Sequence, residues 1–422
     1  MPATFGLIDG NSFYCSCERA FSPRLRGRAV VVLSNNDGCA IARSSEAKAA
    51  GIKMGDPWHL VRMKPEIRAA DVEWFSSNYA LYGDMSRRMY HVLASRVPRV
   101  EPYSIDEMFL DMDTPGDAVV LARELRDAVR RVAKIPTCIG IGPTKTIAKL
   151  GNALAKGDPA MEGVCDLRGE DARQRVYEVT PIGEVWGIGR RIADKLADLG
   201  VDTIARFLAM PQRDTRDLLT VVGARVQAEL KGVSCLPLSM MAPTRKGIAV
   251  TRSFGRPVTT WAEMREACAN HATRAAEKLR GEGLVAARMS VFLHTNPHGG
   301  DPWHSAQHGG RIEPTDDTGA IIGEALRMLR PLWRQGHRYL KAGVMLDDLR
   351  DAASAPVGMF PSRDPGRSAR LMSALDAVNL RYGRGTLRPL ATGIARTWAT
   401  RQQRLTPRYT TNAAEMMEAR AW

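Results

Sequence analysis

The chain has 422 residues, 44% hydrophobic and 25% charged, the balance of a soluble globular protein too long for one ordinary core, so about three domains are expected. Its 60 Lys plus Arg against 46 Asp plus Glu leave a net charge of +14, which favours a polyanionic partner, nucleic acid first. The longest apolar run, Ala29 to Leu33, is far short of the roughly 20 residues that span a bilayer, no secretion-signal pattern opens the chain, and seven cysteines without paired spacing argue against a disulfide framework or a zinc site and for reduced thiols in the cytoplasm.

Phe5 to Ile8 is a short apolar strand ending in Asp9, which leaves a carboxylate at its tip. Residues 11–21 carry Phe13, Tyr14, Cys17 and Phe21 at helical spacing. A second strand, Ala29 to Leu33, is closed by the turn-forming run Ser34-Asn35-Asn36-Asp37-Gly38, and Ala40 to Ala50 reads as a helix stopped by Gly51. Residues 19–77 thus form a small excursion between two parts of a larger unit. Asn78 to Arg96 is helical, with Tyr79, Tyr82, Met89 and Leu93 available for one side.

Next comes Tyr103 to Asp111, a strand-like apolar run holding the adjacent acids Asp106 and Glu107. Burying a carboxylate is costly unless its charge is compensated, and a bound cation is among the strongest compensators. A surface hairpin with water-facing acids is the alternative. Neighbours on a regular strand point to opposite faces, so the two acids share a site only if the chain bends there; Pro102 and Ser104 favour such a turn.

Thr114-Pro115 is expected to cap a helix to about Ala133, Pro136 to Ile141 is a strand, and Gly142-Pro143-Thr144 opens a helix carrying Lys145, Lys149 and Lys156, the first two on one face. Strand and helix alternate as in an α/β unit interrupted by the excursion. Asp171 to Lys231 is helix-rich. At its centre, Val185-Trp186-Gly187-Ile188-Gly189-Arg190-Arg191 sets a Gly-x-Gly turn before a helix, where backbone N–H groups and the helix dipole suit a phosphate; a plain helical hairpin is the alternative. After a linker from Leu236 to Gly247, strands at Ile248–Phe254, Leu284–Thr295, Trp303–Ile312 and Tyr339–Leu346 alternate with helices at Thr260–Arg280 and Thr315–Arg334 in a ferredoxin-like plan. Ala, Ser, Pro and Gly then dominate through Arg367, as in a tether. From Ala377 to Ala414 there are seven arginines, no lysine and no acid, interleaved with Tyr382, Trp398 and Tyr409, a pattern suited to nucleic acid or an acidic partner.

Asp9, Asp106 and Glu107 at the ends of neighbouring strands suit two Mg²⁺ ions through hard oxygen ligands. Two metals can activate an attacking oxygen and neutralise a leaving one in phosphoryl transfer. The lysines of the Gly142 helix, with Arg43 and Lys48 on the excursion, would hold a triphosphate. Asp9-Gly10-Asn11 also raises an aspartyl-phosphate phosphatase, but Asn11 cannot move a proton as a second Asp would. A non-catalytic DNA-binding subunit is the third reading.

The runs Leu7-Ile8-Asp9 with Phe13-Tyr14, Val32-Leu33-Ser34-Asn35-Asn36-Asp37-Gly38-Cys39, Glu46-Ala47-Lys48, Lys53-Met54-Gly55-Asp56-Pro57, Ser76-Ser77-Asn78-Tyr79 and Tyr103-Ser104-Ile105-Asp106-Glu107 resemble the Y-family of translesion DNA polymerases. Gly383-Arg384-Gly385-Thr386-Leu387 and Leu405-Thr406-Pro407-Arg408-Tyr409-Thr410-Thr411 resemble the tail of its UmuC-like branch, the catalytic subunits of bacterial DNA polymerase V. The likeness covers nearly the whole chain. It implies an α+β multidomain right-hand polymerase: an α/β palm (1–18 and 78–165), small fingers (19–77), a helical thumb with a helix-hairpin-helix (166–238), a ferredoxin-like little finger (243–350), a tether (351–368) and a basic C-terminal segment (369–422).

The activity implied is template-directed, low-fidelity DNA synthesis across damaged bases in SOS mutagenesis, on primer-template DNA with deoxynucleoside triphosphates and two Mg²⁺ ions. Fingers of under about 60 residues would close loosely on a base pair, which accords with low fidelity. Carried over by motif position, Asp9, Asp106 and Glu107 are the catalytic metal acids, with the Gly10 carbonyl assisting. Phe13 and Tyr14 meet the nucleotide, Tyr14 as the steric gate under the sugar, and Lys156 meets the triphosphate. Ser45 and Lys48 stand where many relatives have Tyr and Arg, so Lys48 keeps a charge but loses bidentate geometry. Gly187, Gly189, Arg190 and Arg252 are the candidate DNA contacts. Met359 and Phe360, in Pro356-Val357-Gly358-Met359-Phe360, are candidate sliding-clamp contacts, although the leading Gln of the family's clamp peptide is missing. A UmuD-type dimer and a RecA-type recombinase are the further partners implied, in the cytoplasm and on the nucleoid, with no membrane partner.

Overall fold

The computed structural model describes residues 3–239, 245–355 and 363–416. The chain opens with β1 (Phe5–Gly10), six buried residues, and α1 (Phe13–Phe21), whose Phe13 and Cys17 face inward. It then leaves on the excursion: β2 (Val30–Leu33), β3 (Ala40–Arg43), three short helices α2 (Ser45–Ala49), α3 (Trp58–Val61) and α4 (Pro65–Ala69), and β4 (Glu73–Ser76). The strands form a sheet in the order β3-β2-β4 with a core of its own around Val31, Leu33, Trp58 and Ile67. The helix expected over Ala40–Ala50 is therefore two elements. β3 pairs antiparallel with the buried β2, and Ser44, whose hydroxyl accepts the Ala47 N–H, starts α2. Pairing with an apolar strand overrides the helix preference of an alanine-rich run.

The chain returns through α5 (Tyr79–Ala94), capped by Asn78, and adds β5 (Val100–Pro102), β6 (Glu107–Asp111), α6 (Ala118–Ala133), β7 (Thr137–Gly142), α7 (Lys145–Gly157) and β8 (Val164–Asp166). With β1 these strands form a five-stranded sheet in the order β5-β6-β1-β7-β8. α6 starts later than Thr114-Pro115 because Asp117 is the residue that caps it, accepting the Val119 N–H at 2.7 Å. α7 lies so close to the sheet that a Cβ on Gly140 would sit 2.0 Å from the Asn152 nitrogen and 2.1 Å from the Ala148 oxygen. The Asn152 amide uses that proximity to donate to the carbonyls of Leu7 (3.2 Å) and Cys138 (2.7 Å), fixing α7 against β1 and β7.

α8 (Glu170–Val179), α9 (Arg190–Ala197), α10 (Ile204–Ala209) and α11 (Gln212–Leu230) follow around Tyr177, Leu196, Ile204 and Phe207. The turn before α9 is preceded by a single 3-10 turn, Ile182–Glu184, rather than by a full helix.

Residues 243–402 make a second compact unit, whereas 403–422 group with the first. The second unit runs β9 (Gly247–Val258), α12 (Trp261–Gly281), β10 (Leu284–Thr295), β11 (Ser305–Thr315), α13 (Thr318–Leu329), β12 (Tyr339–Asp351) and α14 (Pro365–Tyr382). Up to β12 the element order is that of the ferredoxin-like plan. The strand order, β11-β10-β12-β9, places the second and fourth strands of the unit at the centre, where the ferredoxin arrangement has the first and third. Each strand-helix-strand unit is still split by a strand of the other. Arg280 on α12 holds Asp376 on α14 through two bonds, 2.6 and 2.8 Å, and Trp398 enters this unit's core. Among the described residues no helix is long and apolar enough to cross a membrane.

Candidate active site

Asp9 on β1 and Glu107, the first residue of β6, are direct partners across the antiparallel ladder, which puts their side chains on one face. Asp106 lies just outside the strand, in the turn between β5 and β6. The Tyr103 and Ser104 N–H groups both donate to the Glu107 carbonyl at 3.0 Å. The Ser104 hydroxyl donates to Asp106 Oδ1 at 2.6 Å and accepts the N–H of Asp106 and of Glu107. Gly10 N–H closes the arrangement on the Asp106 carbonyl at 2.9 Å. The bend that adjacent acids require is thus built by Ser104, and strand alternation does not apply to Asp106.

Each outer acid faces an ammonium from α7. Lys156 Nζ is 2.5 Å from Asp9 Oδ2, and Lys149 Nζ is 2.7 and 2.8 Å from the two oxygens of Glu107. Lys149 also lies over the rings of Tyr103 (4.8 Å) and Trp186 (5.8 Å), and Trp186 Nε1 donates to the Tyr103 hydroxyl at 3.1 Å. Burial pushes the Asp9 carboxyl up to about 6; Lys156 pulls against the rise, and the charges of Asp106 and Glu107 add to it. Lys145, the other lysine expected at a triphosphate, is buried against Glu101 (2.5 Å) and the Phe109 ring (4.9 Å). It neutralises the half-buried Glu101 instead.

A cavity of about 320 Å³ opens beside Asp9, and its walls include Gly10, Phe13, Tyr14, Arg43, Lys48, Asp106 and Lys156. Two carboxylates, Asp9 and Asp106, and three cations, Arg43, Lys48 and Lys156, line it. Arg43 donates Nη1 to the Ile52 carbonyl at 3.0 Å, while its buried Nε has no partner among the described residues. Ser45 is exposed and off this wall, with its hydroxyl on Glu46 at 3.2 Å. The Tyr14 ring stacks on Tyr82 at 4.5 Å and 16°, and burial pushes its hydroxyl up to about 12, so it stays neutral. Behind it, the Tyr82 hydroxyl donates to Glu18 Oε1 at 2.6 Å. Glu18 is 2% exposed and burial raises it to about 7. Sequence reasoning passed over Glu18; the available signal was an acid one turn after Tyr14 on a face of Phe13, Cys17 and Phe21.

The remaining candidates are spread out. Gly187 has φ +95°, which glycine alone adopts easily, and Gly189 precedes α9 with Arg190 exposed at its start. Arg252 is exposed on β9 in the second unit. Met359 and Phe360 lie outside the described residues. Among the described residues no three His, Cys, Asp or Glu side chains form a ready cage for a metal, and Lys149 and Lys156 meet the charge of Glu107 and Asp9. The donors nonetheless fit a hard divalent cation: carboxylate oxygens, with the charges of Asp106 and Glu107 adding to the cost of ionising Asp9.

The sequence profile of the impB/mucB/samB family matches residues 8–153, that of its C-terminal domain matches 245–358, and a domain of unknown function matches 369–419. Protein UmuC of Salmonella typhimurium is 42% identical over 99% of this chain and 100% of its own length. Protein MucB of Escherichia coli is 40% identical over 97% of each, and DNA polymerase IV 1 of Bacillus subtilis is 27% identical over 91% of this chain and 92% of its own. A solved Y-family DNA polymerase chimera of Dbh and Dpo4 superposes with a TM-score of 0.67 at 19% identity, covering 82% of this chain and 98% of that one. The chain belongs to the impB/mucB/samB family, as a UmuC-like member with the fold of a Y-family DNA polymerase.

Proposed function

We propose that this chain is a template-directed DNA polymerase that inserts nucleotides opposite damaged bases, the translesion synthesis of SOS mutagenesis. The observation that carries the reading is the single cavity in which Asp9 and Asp106 meet Tyr14, Arg43, Lys48 and Lys156. A deoxynucleoside triphosphate needs those parts together: acids for its metal ions, cations for its phosphates and a ring beneath its sugar. The five-stranded sheet is then the palm, the excursion (19–77) the fingers, residues 166–238 the thumb, 243–350 the little finger and 351–368 the tether.

In nucleotidyl transfer a primer 3′-oxygen bonds to the α-phosphorus and pyrophosphate leaves. Arg43, Lys48 and Lys156, which line the cavity, hold the phosphate charge. Tyr14, backed by Tyr82, presents a flat ring where a ribose 2′-hydroxyl would collide. Asp9, Asp106 and Glu107 would hold two Mg²⁺ ions, with the Gly10 carbonyl assisting; bound there, the metals stabilise charge on the reacting phosphate. Lys149 and Lys156 neutralise the acids meanwhile, which limits the repulsion among the buried Asp9 and the half-buried Asp106 and Glu107. Gly187, Gly189 and Arg190 present N–H groups and a cation to the DNA backbone, and Arg252 adds a second contact. The UmuC-like sequence supports a UmuD-type dimer and a RecA-type recombinase as partners, the sliding clamp through Met359 and Phe360, and work on the nucleoid in the cytoplasm.

Primer extension past an abasic site, with and without those accessory subunits, tests the reading. The wild type should add nucleotides opposite the lesion and Asp106→Ala should lose at least about 100-fold in rate. Extension that survives the substitution refutes the assignment.

A further inference from the structure

The fingers leave the palm after Glu18 and return at Asn78, so two short stretches act as their joints. Residues 403–409, part of the region that the profile of a domain of unknown function matches, lie on both. At the returning joint, Arg404 and Ser76 exchange two bonds, Ser76 N–H to the Arg404 carbonyl and Arg404 N–H to the Ser76 hydroxyl, each 3.1 Å; beside it Gln403 N–H donates at 2.8 Å to Oδ2 of Asp37, in the turn after β2, whose other oxygen accepts from the Ser76 hydroxyl. β4 is an edge of its sheet, and this segment covers that edge. The Arg404 guanidinium pairs with Glu73 at 2.6 Å and lies 5.3 Å from the Trp74 ring. The Asn78 amide donates to the Thr406 carbonyl at 2.9 Å. At the departing joint, the Thr406 hydroxyl donates to Glu18 Oε1 at 3.2 Å and Tyr409 stacks on Phe21 at 4.9 Å.

Glu18 accepts from Thr406 and Tyr82 together, and Tyr82 backs Tyr14. We propose that residues 403–409 are a clip that holds both finger joints closed, and that Thr406 and Glu18 are positioning residues that set the stance of Tyr14 in the nucleotide pocket. The nucleotide part rests on the polymerase reading; the clip does not. A strap spanning both joints resists a hinge motion that a contact at one joint would leave free.

The test compares the full chain with Arg404→Ala/Tyr409→Ala, Thr406→Val and the conservative Thr406→Ser. Hydrogen exchange at residues 18–22 and 73–82 reads the joints without any catalysis. The double variant should exchange there about ten-fold faster, with the second unit unchanged. Thr406→Val should raise the deoxynucleotide KM about three-fold, keep kcat within about two-fold and narrow discrimination against ribonucleotides, and Thr406→Ser should restore all three. Wild-type exchange in the double variant overturns the clip, and if that variant fails to fold, unchanged exchange in Thr406→Val does so. Looser joints with an unchanged KM and discrimination overturn the link to Tyr14. A wild type that extends no primer instead removes the polymerase reading and leaves the exchange result standing.

Discussion

His271 is 2% exposed, and neither ring nitrogen has a hydrogen-bond partner among the described residues. It lies parallel to Phe254 at 6.5 Å and edge-on to Trp398 at 6.1 Å, so the core around it offers rings rather than water. Burial pulls its pKa down to about 4, and the charge of Arg252 adds to the fall. The folded chain therefore holds it neutral, while the unfolded chain takes up a proton near pH 6.5. The stability this withholds is lost as pH falls from about 6.5 towards 4, by about 3 kcal/mol at most. Denaturant midpoints of the second unit at pH 7 and pH 5 should differ in the wild type and differ less in His271→Phe; equal differences would remove His271 as the cause. Its burial was not legible in sequence, since a histidine on an alanine-rich helix looks the same inside or out. The acids were legible in kind, and the bend they need was legible from Pro102 and Ser104; what the sequence did not show is how it is held, by a serine hydroxyl with three bonds.

α7 is the element on which the candidate site depends, because it delivers Lys149 and Lys156 to the acids from one rigid body. Its closeness to the sheet rests on Gly140, where a Cβ would strike backbone atoms that cannot swing away. Gly140→Ala should cost at least about 3 kcal/mol by denaturant unfolding, because the helix must shift as a whole. Gly157→Ala, at the far end of the same helix with open space around it, should be neutral or stabilise by under about 1 kcal/mol. Equal effects would show that the close approach is not what matters at Gly140. α5, α7 and α12 were legible because their apolar spacing and capping residues agree with their tertiary setting. β3 was not, because what makes it a strand is β2, a partner that local propensity cannot see. Of the arginines of the last segment, Arg384, Arg404 and Arg408 pair with the chain's own Glu277, Glu73 and Glu415, partners distant enough in two cases that the composition of the run does not disclose them.

The path of the whole chain is unusual in one respect. The second unit, residues 243–402, is not an appendage at one end, since the backbone goes out to it and comes back to the first unit at 403. Charge and composition predicted several bodies and a basic surface without any hint of this return, because nothing in a tail's composition says where it docks. Connectivity then behaves like a closed electrical circuit with the clip as its switch contact. Opening the covalent wire once, at a protease site engineered into residues 240–244, should leave two fragments that migrate together on a native gel and separate in denaturant. In the Arg404→Ala/Tyr409→Ala background the same single cut should let them part under native conditions. Co-migration in both backgrounds would show that something other than the clip closes the loop.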